Sequence, residues 1–576
     1  MDMVNITIDG QKIEVPKTST ILEAVQKVGI KVPTLCYHPE LRLEGSCRVC
    51  LVEVEGARAL AASCVYPVNE GMVVRTNTAK VRSGRKAVVE LLLANHPTDC
   101  LSCQRNLNCE LQNMAADLGI RKVRFEGERK QYPLDANNPS LVRSQDKCIL
   151  CGRCIRACSE RQGIHVYSFA NRGFDSIVTP AFNMGLDEVA CTYCGQCALV
   201  CPTAAIVEKD DTAEVFAALS DPDKHVIVQT APAVRVGLGE ALGFEPGTVV
   251  TGKMVAALKR LGFDKVFDTN FSADVTIMEE GTEFIDRLTN NVGKLPLISS
   301  CSPGWVNFIE LKYPELLEHL STTKSPQQIF GALVKTYYAE KAGIDPKNIV
   351  SVSIMPCTAK KAEAARKEMG RNGMRDVDFV LTTRELGRMI KEANIEFKSL
   401  PDAEFDNPMG IGTGAGVIFG ATGGVMEAAL RTIVHVVSGK QLENIEFQQV
   451  RGLQGIKEAT VTLKEGLDIK IAVAHTLLNA TKLLDKIKAG EADYHFIEIM
   501  ACPGGCSSGG GQPITCSQGR QKRIEALYKC DRELPLRSSH DNPAVKELYD
   551  TWLGKPNGEK SHHLLHTHYQ AQSHRL

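Results

Sequence analysis

Residues 495–513, HFIEIMACPGGCSSGGGQP, set the reading of the larger part of the chain. An apolar, strand-like run breaks off at Cys502, and a glycine-dense loop carrying Cys506 follows. Two earlier stretches are built alike: LPLISSCSPGW (295–305) reaches Cys301, and VSVSIMPC (350–357) reaches Cys357. A fourth, HVIVQTAP (225–232), stops at Pro232 with no cysteine. Amphipathic helical stretches such as Gly252–Leu261 and Pro326–Ala342 lie between them. Strands alternating with helices predict α/β layers. In open α/β sheets ligands gather outside the carboxyl ends of the strands. Four thiolates meeting there make a cubane site, and the glycines of 503–513 let backbone amides approach it closely.

Outward from that core, toward the N-terminus, the cysteines crowd. Fifteen of the 21 fall in the first 201 residues and six in the remaining 375. The front therefore reads as small metal-stabilised modules, each with too little core to fold alone. Cys148, Cys151, Cys154 and Cys158 repeat as Cys191, Cys194, Cys197 and Cys201, both C-x2-C-x2-C-x3-C. This is the run of two-cluster ferredoxins, in which the fourth cysteine ligates the other cluster. One cubane is thus expected on Cys148, Cys151, Cys154 and Cys201, the other on Cys191, Cys194, Cys197 and Cys158. Cys36, Cys47, Cys50 and Cys64 follow a strand pair and the helix-like TSTILEAVQKVG (18–29). They suit a [2Fe–2S] cluster in a ferredoxin-like β-grasp module, with zinc as the bland alternative. His96, Cys100, Cys103 and Cys109 follow the helical SGRKAVVELLLANH (83–96). Spacing alone fits zinc equally well; position between other clusters favours a third accessory [4Fe–4S]. The expected boundaries are 1–80, 81–137 (a small helical His/Cys3 module), 138–210 and 211–576.

Composition narrows the classes. A net charge of −1 gives no reason to expect nucleic acid or an anionic membrane surface as partner. No apolar run approaches the roughly 20 residues of a membrane span. Met1–Pro16 alternates like a strand, unlike a signal peptide, so a cytoplasmic address is expected. The same features turn the cysteines away from disulfides and toward metal.

The segments SSCSPGW (299–305), MPCTAKKAE (355–363) and EIMACPGGCSSGGGQP (498–513) resemble the three signatures of the [FeFe]-hydrogenases. RELGRMI (384–390), GAGVIFGATGGVMEAALR (414–431), VRGLQGIKEA (450–459) and the ending HLLHTHY (563–569) are similar to further family segments. The order of the front modules matches the long clostridial-type members, so the likeness runs over essentially the whole chain. It implies two parallel-sheet lobes around an H-cluster, a cubane joined through one cysteine sulfur to a diiron centre bearing CO, cyanide and azadithiolate. By position Cys506 is the bridging thiolate, Lys360 a donor to cyanide and Glu363 its partner. Pro232, Met355, Phe419 and Met500 form an apolar wall, and Gln327 supplies an amide donor. The bland readings are a solvated lysine at 360 and ordinary core methionines at 355 and 500.

One departure stands out. The family's first signature has two adjacent cysteines, one relaying protons and one ligating the cubane. Here Cys301 lies between Ser300 and Ser302. Ungapped alignment puts Cys301 at the relay and Ser302 at the ligand position. Thiolate is the softer and more acidic donor. The expectation is therefore that Cys301 ligates and a neighbouring serine or water relays. By resemblance Glu280, Glu283 and Ser321 lead protons inward, although either glutamate suits a brace within TIMEEGTEFIDRL (276–288).

The implied reaction is reversible, heterolytic splitting of H2. Protons travel by carboxylates and electrons by one [2Fe–2S] and three accessory [4Fe–4S] clusters. The expected partners are ferredoxin, or flavin and iron–sulfur subunits that handle NAD(P)H. GxGxxG is absent and GTGAG (412–416) fits no strand-to-helix phosphate turn, so nicotinamide chemistry belongs on another chain. The competing class is a non-catalytic electron-transfer, assembly or gas-sensing protein. Cys516 and Cys530 read as free buried thiols. The tail histidines (His562, His563, His566, His568, His574) read as a docked helix with a solvated end, with metal binding the lesser alternative.

Overall fold

The computed structural model describes residues 2–440, 444–572 and 575, so His574 lies outside the described residues. The chain begins with a five-stranded sheet in the order Gln11–Pro16, Met3–Ile8, Val73–Arg75, Leu51–Val54, Ala61–Ala62. The first two strands pair antiparallel through Asp9–Gly10, both at positive φ, the backbone that two-residue hairpins require. The helix Ile21–Lys27 starts where expected, because Thr20 and Glu23 cap one another's backbone N–H groups. Its apolar side packs with Ile6, Ile8 and Val52.

The helix Ala79–Ala94 leads on, tied to the sheet where Arg85 Nη2 donates to Leu51 O (2.6 Å). Next come two short antiparallel strand pairs, Leu141–Arg143 with Ile206–Glu208 and, within the chain between those two, Ser168–Ala170 with Ile177–Thr179. Between them, Gly152 and Gly195 take left-handed conformations that open the short helices Arg153–Arg156 and Gln196–Val200.

The large domain holds two four-stranded sheets. In the first, Lys265–Asp268, His225–Thr230, Ile349–Met355 and Phe379–Thr382 are all parallel. In the second, Leu297–Ile298, Phe496–Met500 and Leu467–His475 are parallel, but the edge strand Ile456–Lys464 is antiparallel. The expectation of two parallel lobes is corrected there. Only Glu465 and Gly466 (φ +78) join the last two strands, and a two-residue link can make only a hairpin. The helices at 251–261 and 326–342 are present, the second passing through a π turn at Val334–Tyr338. Among the described residues no helix is long and apolar enough to cross a membrane.

Each sheet buries its own core. Met355 belongs to the cluster with Val228, Ile354 and Leu381, and Met500 to that with Ile471, Phe419 and Leu527. The strand ends carrying Met355–Cys357 and Met500–Cys502 come from the two different sheets, so any group they share lies at the seam.

Candidate functional site

At the front, Cys36 is within hydrogen-bonding reach of both Cys47 and Cys64, and Cys50 of Cys64, so four sulfurs close on one point. Cys36 N also donates to Cys47 Sγ (3.4 Å). His96 is half-buried with its Nδ1 enclosed and unpartnered, and desolvation lowers its pKa to about 4. It is thus a neutral imidazole with a free nitrogen, the form a metal takes.

The repeated motifs cross. One cavity is walled by Cys148, Cys151, Cys154 and Cys201, and a second by Cys158, Cys191, Cys194 and Cys197. Each set takes three thiols from one motif and the fourth from the other, as the two-cluster pattern demands. Backbone N–H groups of Leu150, Val166 and Tyr193 donate to Cys148, Cys158 and Cys191 Sγ (3.4 Å each). Such bonds favour the thiolate over the thiol.

At the seam, Cys301, Cys357 and Cys506 keep some accessible surface. Burial nevertheless pushes all three thiols up, Cys506 to about 12, so their open faces look into an enclosed space rather than bulk water. Cys357 and Cys506 both act on Cys502, and Cys357 acts on Cys506. These three sulfurs are neighbours. Cys301 is placed differently: its foremost charged neighbour is Glu280, followed by Cys506 and Lys360. The next side chain, Ser302, turns to the other loop, where Ala501 N donates to its Oγ (3.3 Å).

Lys360 is buried, not solvated. Its Nζ reaches both oxygens of Glu363 (3.0 and 2.9 Å) and Cys301 O (3.1 Å). Gln327, expected to supply an amide donor, has both ends of its side-chain amide hydrogen-bonded within the protein. Its Nε2 donates to Lys360 O (3.2 Å) and Glu363 Oε2 (3.0 Å), and its Oε1 accepts from Ser353 (2.8 Å). The physical reason is the buried Glu363 carboxylate, which also draws Ser325 (2.9 Å). Ser325 and Ser353 carry no sequence signal, because serine on an apolar strand or before a helix is common. Pro232, Met355, Phe419 and Met500 are all buried, two on each sheet's side. Ser508 Oγ and Thr422 Oγ1, beside the Cys506 loop, are buried without a protein partner. Three thiols, unspent hydroxyls and an apolar wall fit a cluster-based cofactor.

Two acidic side chains of the helix Thr269–Asn290 lie close together inside the fold. Glu280 is buried, and burial first, then the charge of Glu283, push its carboxyl up to about 8, with Ser321 nearby opposing the rise. Ser321 Oγ donates to Glu283 Oε2 (2.8 Å), while Glu280 Oε2 is buried without a partner. Arg287 braces Glu283 on the outer side (2.6 Å). Glu279, which the sequence reading passed over, faces away from this pair toward the tail. Cys516 is exposed, correcting its expected burial, and Cys530 is half-buried; neither adjoins a cluster set.

The Cys357 and Cys502–Cys506 loops are both hydrogen-bonded to the two-cluster module. Thr358 Oγ1 donates to Tyr193 O (2.7 Å), Gln162 Nε2 to Ala501 O (2.9 Å) and Gln196 Nε2 to Ser508 O (3.1 Å). Gly195 and Gly510 meet backbone to backbone: a Cβ on Gly510 would lie 2.7 Å from Gly195 Cα.

Residues 224–510 match the family described as iron only hydrogenase large subunit, C-terminal domain, and 517–572 the iron hydrogenase small subunit. The front matches a 2Fe-2S iron-sulfur cluster binding domain (1–79), the NADH-ubiquinone oxidoreductase-G iron-sulfur binding region (85–124) and a 4Fe-4S dicluster domain (147–205). The chain is 53% identical to the NADP-reducing hydrogenase subunit HndD of Solidesulfovibrio fructosivorans, over 99% of each chain. It is 42% identical to iron hydrogenase 1 of Clostridium pasteurianum, over 99% of this chain and 100% of that one. A solved structure of a variant of the [FeFe]-hydrogenase HydA1 from Chlamydomonas reinhardtii superposes with a TM-score of 0.58 at 46% identity. It covers 64% of this chain and 100% of its own.

Proposed function

Because the chain belongs to the iron-only hydrogenases, and so interconverts H2 with protons and electrons through an iron–sulfur relay, we propose that an H-cluster sits at the seam of the two sheets. The carrying observation is the meeting of Cys357, Cys502 and Cys506 beside the buried Lys360–Glu363 pair. When bound, the group would supply the metal and base chemistry for heterolytic cleavage of H2. Cys506, with Cys357 and Lys360 among its neighbours, would be the bridging thiolate. Lys360, fixed by Glu363 and the Cys301 carbonyl, presents a charge to an anionic ligand of the group. Pro232, Met355, Phe419 and Met500 exclude water, which strengthens that electrostatic hold. Gln327 acts on Lys360 through Glu363 and its own amide rather than on the group.

Cys301 is assigned to proton relay and Ser302 to the fourth corner of the cubane. This departs from the expectation drawn from thiolate softness; what supports it is that Glu280 is the foremost charged neighbour of Cys301, whereas Ser302 Oγ accepts from Ala501 N beside Cys502. Cys301 passes protons to Glu280, which holds one below about pH 8, and Ser321 links Glu280 to Glu283. A carrier or assembly protein has no use for this buried acid line, which favours the catalytic reading.

The front holds one [2Fe–2S] cluster in a β-grasp module and three [4Fe–4S] clusters, one with His96 among its ligands. HndD is by name a subunit of an NADP-reducing hydrogenase. By analogy this chain passes electrons to flavin and iron–sulfur subunits that handle NAD(P)H, with ferredoxin as a second carrier, in the cytoplasm where those pools reside. Infrared spectroscopy of the matured protein tests the centre: CO and cyanide bands are expected, and their absence overturns it. Co-purification tests the partners, with flavoprotein subunits expected. For the relay, Cys301→Ala is expected to keep the cubane's paramagnetic signal before diiron loading, and Ser302→Ala to weaken it. The opposite pattern restores Cys301 as ligand.

A further inference from the structure

The C-terminal histidines have no role in the route above, yet the fold brings two of them to its outer end. After the helix Glu559–Leu565, the chain runs antiparallel to residues 322–324. Lys324 N donates to Leu565 O (2.8 Å) and Thr567 N to Thr322 O (2.7 Å). His566 is thereby buried, with Nδ1 on Thr322 Oγ1 (2.8 Å) and Nε2 on Glu279 Oε2 (3.1 Å). Thr322 N in turn donates to both oxygens of Glu283 (3.2 and 3.1 Å). The exposed His562 stacks on His566, ring centroids 4.5 Å apart and planes 13° apart.

Glu283 thus ends the buried acidic cluster near the surface, and Thr322 joins it to His566, on which the exposed His562 stacks. We propose that His562 is the proton-exchanging group at the mouth of the route, with His566 and Glu279 as the positioning pair that holds it there. During H2 oxidation Glu283 gives its proton to the His562 imidazole through intervening water; the imidazolium gives it to buffer, and Glu283 returns to carboxylate. Proton uptake runs the same steps in reverse. An imidazole suits the task because its ordinary charge change falls near neutral pH without the burial that Glu280 needs.

The groups facing His562 are His566 and His568 of the tail and Glu283 and Glu279 of the helix Thr269–Asn290. Arg287 offsets the charge of Glu283. Partial burial and the two imidazoles lower the His562 pKa, while the two carboxylates raise it. His566 itself is committed: both ring nitrogens are engaged, so it orients rather than carries.

The proposal rests on the Glu280–Ser321–Glu283 reading, and one experiment separates the two. H2 turnover of the full-length matured protein is measured in dilute buffer for His562→Gln, His562→Glu, Glu283→Gln and the exposed neighbour His563→Gln, with and without added imidazole. Iron content and thermal midpoint are followed in each. His562→Gln is expected to lose up to about a hundredfold, the low end of what a positioned proton-transfer group contributes. Added imidazole is expected to restore it, His562→Glu to keep part of the rate, and His563→Gln to match the parent. A His562→Gln protein with full rate in dilute buffer overturns the proposal while leaving the inner route intact, provided Glu283→Gln is slow. A fast Glu283→Gln protein overturns the route itself. A slow His562→Gln protein with normal iron and midpoint that imidazole does not restore also overturns the assignment. If the midpoint falls instead, rescue of His562→Gln by imidazole at a lower temperature decides between exchange and mere support of the tail.

Discussion

Glu280 is the residue where burial matters most to chemistry. In the unfolded chain its carboxyl ionises near 4.5, and in the fold only near 8. The folded state therefore holds the extra proton between those values, and its stability from this group declines as pH rises through that window. Glu280→Gln removes the dependence. Its thermal midpoint is expected to fall less than the parent's between about pH 5 and about pH 8, while H2 turnover drops by about 10²–10⁴. A midpoint as pH-sensitive as the parent's contradicts the assignment. Glu363→Ala makes the opposite kind of prediction. It strands the buried Lys360 ammonium, and a cost of about 3–5 kcal/mol is expected in denaturant titration. At this scale the sequence was legible where a residue type is chemically unusual, as with Lys360 and the cysteines. It was silent for Ser325 and Ser353, and misleading for Gln327, whose amide satisfies a carboxylate that no spacing reveals.

Among the elements, the clearest legibility is the crossing of the two ferredoxin motifs. Short helices opened at Gly152 and Gly195 turn each fourth cysteine toward the other cavity. Cys201→Ala is therefore expected to lose the cluster of the first motif, and Cys158→Ala that of the second; magnetic-resonance signals of the two cubanes distinguish the outcomes. Helix positions followed from periodicity, and the Thr20 and Thr382 capping boxes fixed two starts. The antiparallel edge of the second sheet was not anticipated. The edge strand Ile456–Lys464 mixes polar with apolar residues, and the deciding feature is the tight Glu465–Gly466 turn.

In the whole molecule the modules are interlocked, which no linear reading could give. Thr358, Ala501 and Ser508, next to three catalytic cysteines, are bonded to the two-cluster module, and Arg575 near the chain end reaches Cys191 O (2.8 Å). Gly510→Ala pushes a methyl group into the Gly195 backbone and Cys194 O. It is expected to slow re-oxidation of the catalytic centre by the accessory clusters, seen as a lag between H2 addition and cluster reduction in rapid-freeze spectra. An unchanged lag means the contact is tolerated by loop movement.

The bare meeting of Gly195 and Gly510 has a consequence for descent. Electron tunnelling weakens exponentially with separation, so one side chain at that junction taxes every turnover. The ferredoxin-like piece abutting the catalytic loops is committed: a foreign substitute must reproduce two bare backbones at one point before it can conduct.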